Sequence, residues 1–493
     1  MVAYHYAGAL ELTRASGGST EGLVARARDA LRDAGIRAAS LNAVAQAERY
    51  LTDALELTGT DDPERVTLLF KLGETKYLRS WDGSAELSEA RAGYIAVGDP
   101  ESAAAAALMI ADNEWAAGRG REVTIHLNDA RSLVAGRPPS RGQAAVLTEV
   151  ARYDMLADRN DSAIATGREA LRMAEQLGLD DIRMRVLNNV GCARVAAGDP
   201  EGVDDLDESI AVASRLNLAA DVVRGYNNRS SMKTLLGRVA EGHDDLLESY
   251  RLANHFGQRG FVRWADGGPM LGFPYRVGRW DEVLDGANAF IATLGQEGHY
   301  QAASSHSFRA LIGVARGEVD AARDAERMLE LARPVDDPQL RGPVLQVATV
   351  LSLLLGEEDR ARELFDEALA LIRDLPQLGW AVVELHSTAW VARKFARADE
   401  LLEVVKDDPL QSPWLLAARA IAEGELARAA DIFGEMGAPT LEAFYRLRAA
   451  EALVAAGSRA EADEQLRPAL AFFRGVGANR YVREGEALLA ASA

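Results

Sequence analysis

The sequence predicts an all-α fold, a right-handed superhelix of about eleven stacked helix pairs. Three observations lead there. Turn residues recur at Gly118, Asp158, Gly198, Gly237, Gly278, Gly317 and Gly356, separated by 40, 40, 39, 41, 39 and 39 residues, and the beat then shortens to about thirty through Gly424 and Gly457. Apolar residues on either side of the turns repeat with helical period. The hydrophobic 48% of the 493 residues is mostly Ala and Leu, with aromatics only 6%, which suits helices packed closely through small side chains and argues against a sheet. A fixed period in this range marks a solenoid, in which each unit packs only against its neighbours and the core grows as a ribbon.

From the N-terminus, residues 1–60 read as N-terminal helices forming a junction-like cap. A first stretch of solenoid over 61–253 follows, then an irregular Gly/Pro-interrupted unit over 254–285. A second stretch over 286–493 ends in a C-terminal capping helix. Helix starts are punctuated by Asp62-Pro63-Glu64, Asp99-Pro100-Glu101 and Asp199-Pro200-Glu201. Asp caps free amides, Pro suits the first helical position, and Glu complements the helix dipole. Arg137-Pro138-Pro139-Ser140-Arg141-Gly142 reads as a loop between pairs. After Asp158, the series Ala163, Gly167, Ala170, Leu171, Ala174 and Leu177 describes one helix face. After Gly356, Ala361, Leu364, Phe365, Ala368, Leu369 and Ile372 do the same.

Five residues after the turn stand Ala163, Ala322, Ala361, Ala429 and Ala462, and seven further on Ala170, Ala368 and Ala469. Small side chains there let the second helix of a pair press on the first, a pattern similar to tetratricopeptide repeats. Val123 and Val283 replace the first small residue, and Phe290 and Leu329 the second, so the units are degenerate. At Gly267-Gly268-Pro269, Gly272 and Pro274 a first helix is expected to break or kink, because Gly and Pro cost about 1 and 3 kcal/mol in a helix interior. Phe261, Trp264, Phe273, Tyr275 and Trp280 crowd around that point. They either fill the gap left by a distorted helix or line a ligand pocket built on Trp264, Tyr275 and Trp280.

Composition bounds the function. Acidic residues outnumber basic ones 75 to 55, a net charge of −20, and such a field disfavours nucleic acid and anionic membrane as partners. The single thiol, Cys192, excludes an internal disulfide and a cysteine-rich zinc site, and fits a reducing cytoplasm. The longest apolar run, Ala103 to Ala111, is too short to span a bilayer, and the opening residues carry no signal-peptide pattern. No Gly-Lys dipeptide, H-E-x-x-H, G-x-S-x-G or G-x-G-x-x-G occurs. Among the seven histidines only His299 and His306 are close, at a spacing that a metal pair seldom uses. Cys192 has no identifiable base beside it and reads as a packed residue. The chain is therefore expected to be no enzyme and to need neither cofactor nor metal.

One constellation rises above this background. Arg185-x-x-Asn188-Asn189 precedes Gly198 as Arg224-x-x-Asn227-Asn228 precedes Gly237, 39 residues apart. The two should stack as a ladder on successive first helices, the helices that line the concave groove. Asn donates and accepts at once, which suits the peptide groups of an extended partner, and Arg offers a planar fork for a carboxylate or phosphate. The structural alternative has Asn bridging to a neighbouring helix and Arg pairing with Asp181 or Asp221.

The run Leu187-Asn188-Asn189-Val190-Gly191 with Ala-Gly-Asp-Pro-Glu-Gly at 197–202 resembles tetratricopeptide units of large bacterial signalling proteins. So do Gly278-Arg279-Trp280-Asp281-Glu282 and Leu470-Ala-Phe-Phe-Arg-Gly-Val-Gly-Ala478. The opening Ala3-Tyr-His-Tyr-Ala-Gly-Ala-Leu-Glu-Leu12 looks like the junction after an ATPase module. The resemblance is to the repeat tails of actinobacterial AAA-ATPase and class III adenylate cyclase-type proteins, and to LuxR-type and maltose-activator-type regulators. It carries over no cyclase metal carboxylates, ATPase loop or DNA-binding helices. It implies a sensory or scaffolding tail. Its partner would be a protein or peptide, a covalently linked ATPase or cyclase module among them, or, as in the maltose-activator-type tails, a small-molecule inducer.

Overall fold

The computed structural model describes residues 2–295 and 298–492. Among them every regular element is helical, from Val2–Ala15 to Asn479–Ser492, with one 3-10 helix, Gly379–Glu384. The fold is an all-α solenoid of tetratricopeptide-like pairs, and the α-helices among the described residues make somewhat more than eleven of them. Each unit has a first helix before the recurring turn and a second after it, as in Asp180–Ala196 and Gly202–Arg215.

The beat has a backbone cause. Gly118, Gly198, Gly237, Gly278, Gly317, Gly356, Gly424 and Gly457 all have φ between 76° and 93°, and Asp158 has φ 55°. The chain leaves the first helix through the left-handed region, where glycine escapes the Cβ penalty and the freed carbonyls are recaptured. At Gly198, for example, its own N–H reaches Val195 O and that of Asp199 reaches Arg194 O.

The small residues do what their spacing implies. Ala163, Ala361, Ala429, Ala462, Ala170, Ala368 and Ala469 are buried, and so are the larger replacements Val123, Val283, Phe290 and Leu329. One unit is out of register: Ala321 is the core residue, while Ala322 is only half-buried. Of the three Asp-Pro-Glu signals, Asp99 alone caps a helix that starts at its proline, accepting from Ser102 N. Asp62 and Asp199 instead fold the chain into a turn, and their helices begin later, at Arg65 and Gly202. The loop ends at Ser140, whose hydroxyl caps Arg141–Leu156.

The superhelix closes on itself. Asn42 and Asn217 exchange hydrogen bonds across a separation of about 175 residues, Nδ2 of Asn42 to Asn217 O at 3.1 Å and Nδ2 of Asn217 to Ser40 O at 3.2 Å. Asn160 Nδ2 donates to Gln377 Oε1, and Trp414 Nε1 to Thr234 O at 2.7 Å. Thr440 Oγ1 donates to Tyr275 O at 2.7 Å. These partners lie between 165 and 217 residues apart, so successive superhelical turns touch along a seam. Several beat glycines sit in it: a Cβ on Gly198 would strike the Pro409 carbonyl, and on Gly237 it would lie 2.7 Å from Pro413 Cγ.

Three carboxyls gather near this seam. Burial pushes Asp158 well above the carboxylate range, and the charges of Asp337 and Asp408 push it further. Burial also raises Asp408, and lifts Asp337 to about 6 against the N–H groups it accepts from. A carboxyl that binds its proton more tightly when folded contributes its full stability below the unfolded value, near 3.9, and loses it as pH rises through the folded value. His299 works in the opposite sense over the same window, since burial and the Arg263 charge hold its ring at about 4. Comparing two chains at each pH cancels the His299 contribution and leaves the Asp337 effect together with the relief of Asp158.

Two outcomes are expected. Asp337→Asn, which keeps the cap on Gln339 N, raises the melting temperature at pH 7.5, and the gain shrinks towards pH 5 as the wild-type acid takes its proton; a gain equal at both pH values would contradict the linkage. Gly198→Ala and Gly457→Ala both force a side chain to positive φ, about 1 kcal/mol or more. Nothing lies within 4 Å of a Cβ on Gly457, so Gly198→Ala should lower the urea midpoint clearly further. Equal losses would remove the seam.

Candidate functional site

Successive first helices carry a polar ladder on the inner wall. Arg152 on Arg141–Leu156 pairs with Asp112 on Pro100–Ala116, and Tyr153 OH donates to the same carboxylate at 2.6 Å. Arg185 grips Asp221 with two bonds of 3.0 Å, and Arg224 reaches that carboxylate at 3.2 Å. Burial works against the Asp221 charge, but the two arginines outweigh it and hold the carboxyl below its ordinary range. Asp181 belongs to Arg141.

The asparagines join the ladder. Asn188 and Asn189 are each 1% exposed. Asn189 Nδ2 donates to Thr148 O at 3.1 Å on the preceding first helix, and Asn188 Oδ1 accepts from Asn228 Nδ2 at 2.6 Å on the next. Asn227 faces differently: it lines a cavity in the lumen of the superhelix.

That cavity, about 230 Å³, lies where the irregular unit breaks. Arg259–Gly267 ends at Gly268, and Pro269–Arg276 restarts with Pro269 at its first position and Pro274 inside. The break is stabilised from the next unit. Ser305, on Ala302–Arg316, donates to the freed Gly267 O at 2.6 Å, and a Cβ on Gly267 or Gly268 would collide with Gln301. Trp264, Phe273, Phe308 and Trp380 give the cavity apolar wall, while Asn227, His243, Arg276, Gln301, Ser304, Asp337 and Glu384 give it polar groups. The His243 ring stacks on Phe273 at 4.2 Å, and burial and the Arg279 charge lower its pKa below the ordinary value.

The aromatic cluster thus divides. Trp264 faces the lumen, with Trp81 and Phe261 behind it at 6.4 and 5.5 Å. Tyr275 and Trp280 do not line the cavity. They stack on each other at 6.2 Å, and Trp280 Nε1 donates to Tyr275 O and Thr440 Oγ1 across the seam. His299 Nδ1 accepts from Gln301 N, while His306 Nδ1 lies 2.6 Å from Asp324, so the two rings serve separate contacts. Burial pushes the Cys192 thiol up to about 12. Among the described residues no cluster of three His, Cys, Asp or Glu side chains could hold a metal ion, and no helix is long and apolar enough to cross a membrane.

Sequence spacing gave no sign of Arg276, Gln301 or Glu384, which come from three different units and share no motif. The faint trace was Gly272, one helical turn before Arg276: a Cβ there would lie 3.0 Å from Arg276 Nη1.

No family model and no curated protein matches this chain. Several solved structures are similar to it. A Rap protein complexed with Competence and Sporulation Factor overlays with 14% identity over 83% of this chain and 99% of its own, TM-score 0.43. The Cut9–Hcn1 hetero-tetramer gives 14% identity over 93% and 96%, TM-score 0.33, and yeast Tom70 15% over 94% and 96%, TM-score 0.31.

The ladder's contacts set a measurable expectation. Asn189→Ala removes a buried hydrogen bond to Thr148 O, which keeps its bond within its own helix, at a cost of about 0.5–1.5 kcal/mol. Chemical denaturation should show that loss; stability equal to wild type would mean that the Asn189 amide is not a structural rung.

Proposed function

We propose that the chain is a non-catalytic protein-interaction solenoid, the regulatory tail of a bacterial signalling protein, and that it takes a segment of its partner into the lumen. The partner is a peptide or a neighbouring domain, such as the linked ATPase or cyclase module that the resemblance implies. One observation carries this reading: at the lumen cavity Asn227 of the ladder meets Trp264 of the broken helix, so two features far apart in sequence share one surface. Arg185, Asn188, Asn189, Arg224 and Asn228 then hold the groove wall in register, and Asn227 touches the guest. Tyr275 and Trp280 support the wall from behind.

A second reading, a small-molecule inducer sensor of a transcriptional or cyclase regulator, draws on the size of the same cavity. A volume of about 230 Å³ is below the usual range for drug-sized ligands and would suit a compact molecule or a chain end.

Filling the cavity tests both. Ser304→Phe places a large side chain in the lumen, and capture of partner from source cells should fall at least tenfold against wild type. Val319→Asp, on the outside at 96% exposure, should leave capture unchanged. Loss with both variants, or with neither, would place recognition outside the lumen. A melting point that rises with a screened small molecule in wild type but not in Ser304→Phe would favour the sensor reading.

A further inference from the structure

Most arginines on the inner helices hold a carboxylate within hydrogen-bond reach, although Arg341 has a buried Nε without a partner. Arg185 holds Asp221 with two bonds, Arg152 has Asp112 and Glu149, and Arg448 has Glu451 and Glu484. Arg276 is different. Its side chain is 12% exposed, stacks over Trp414 at 5.3 Å, and comes no nearer to a carboxylate than 3.8 Å, from Nη2 to Glu384 Oε1. That is beyond hydrogen-bond reach, and among the described residues the guanidinium donates no hydrogen bond. Glu384 is shared, since His386 Nε2 stands 3.3 Å from its other oxygen. Burial lowers the Arg276 pKa below its ordinary value even with Glu384 beside it.

Five N–H donors in a planar fork therefore border the lumen cavity without an acceptor. Gly272 keeps the fork there, because a Cβ would crowd Nη1. A guanidinium only 12% exposed and without a protein acceptor is poorly solvated, and a bound acceptor would offset that cost. The charge balance limits what the acceptor is. Glu384 and Asp337 also line the cavity and, among the described residues, no second arginine or lysine does, so a doubly charged phosphate would meet two carboxyls with one cation to balance it. A single carboxylate matches the geometry of the fork and adds one negative charge beside those carboxyls where a phosphate would add two. Around it, Phe308 and Trp380 offer apolar contact, and Gln301 and Ser304 offer hydrogen bonds.

Resting on the lumen-binding reading above, we propose that this cavity binds a carboxylate on the Arg276 guanidinium, supplied by the C-terminus of a partner segment or by a free small organic acid. The test uses the full chain and three probes: a random tetrapeptide library with free C-termini, the same library amidated, and a panel of small aliphatic and aromatic monocarboxylic acids. Retained species are identified by mass spectrometry after gel filtration.

The expected result is that wild type retains members of the free-acid library or of the acid panel, and that the amidated library is retained at least tenfold less. Retention in the peptide arm assigns the carboxylate to a chain end, and retention in the panel alone assigns it to a small molecule. Arg276→Gln should abolish retention. Should that variant fold poorly, Gly272→Ala displaces the fork while keeping its charge and should weaken retention at least tenfold. Equal retention of acid and amide, with loss only in Ser304→Phe, would overturn the carboxylate and leave the lumen reading standing. Retention unaffected by Ser304→Phe would overturn the lumen reading itself, and no retention of any acid would overturn the proposal.

Discussion

A backbone that leaves each first helix through the left-handed region favours glycine at that point, and here the same bare backbone lets one superhelical turn rest on the next. Gly198 and Gly237 approach Pro409 and Pro413 with no Cβ to hold them off, and Gly278 lies against Phe472. At Asp158 the roles reverse. A side chain occupies the turn at φ 55°, and the bare residue is Gly379 across the seam, on which the Asp158 carboxyl lies. Everything inside the coil follows from that closure. A helix pair stacked only on its neighbours would present the break at Gly268 to an open groove. Coiled, it presents the break to a lumen whose far wall includes Trp380 and Glu384.

Polar groups inside such a coil must be paired with one another or left for something else. The ladder takes the first course. Arg152, Arg185 and Arg224 reach carboxylates on neighbouring first helices or their own, and the buried asparagines bond across units, so the charges of this part of the wall are balanced even though Asn189 Oδ1 and Arg224 Nε have no partner. The wall at the broken helix takes the second. Arg276 hangs over Trp414 without a hydrogen-bond acceptor, and His243 Nδ1 is buried without a partner. Recognition energy is available where such groups are desolvated and unpaired, because a ligand that pairs them gains more than it loses from water.

Much of the architecture was legible in the sequence because glycine reports φ. The recurring turns fall at positive φ at all nine marked positions. Other left-handed turns were not legible, since Asn42, Trp81, Asn217 and Ala396 adopt the same conformation with side chains that do not announce it. The break at Gly268 was readable from Gly and Pro, although not that Ser305 would satisfy the freed carbonyl from the next unit. The Arg-Asn ladder was visible as a 39-residue recurrence, and spacing allowed Asp221 as a partner of Arg224, but Arg185 takes that same carboxylate in place of Asp181. Thr148 was not, because Asn189 bonds to its backbone oxygen, an acceptor that every residue carries. Arg276, Gln301 and Glu384 share a cavity only through the superhelical path, which depends on the sum of many small inter-helix angles and leaves no mark at any one residue.

The claim on which all of this rests is that the superhelical turns stack closed in solution. Leu41 and Leu216 flank the Asn42–Asn217 contact and are 67% and 36% exposed, so spin labels introduced there should leave the seam intact. Double electron–electron resonance on the chain labelled at both sites should give a single narrow distance at the short end of the measurable range. A broad distribution, or one centred far out, would describe an open solenoid without an enclosed lumen and would contradict the account.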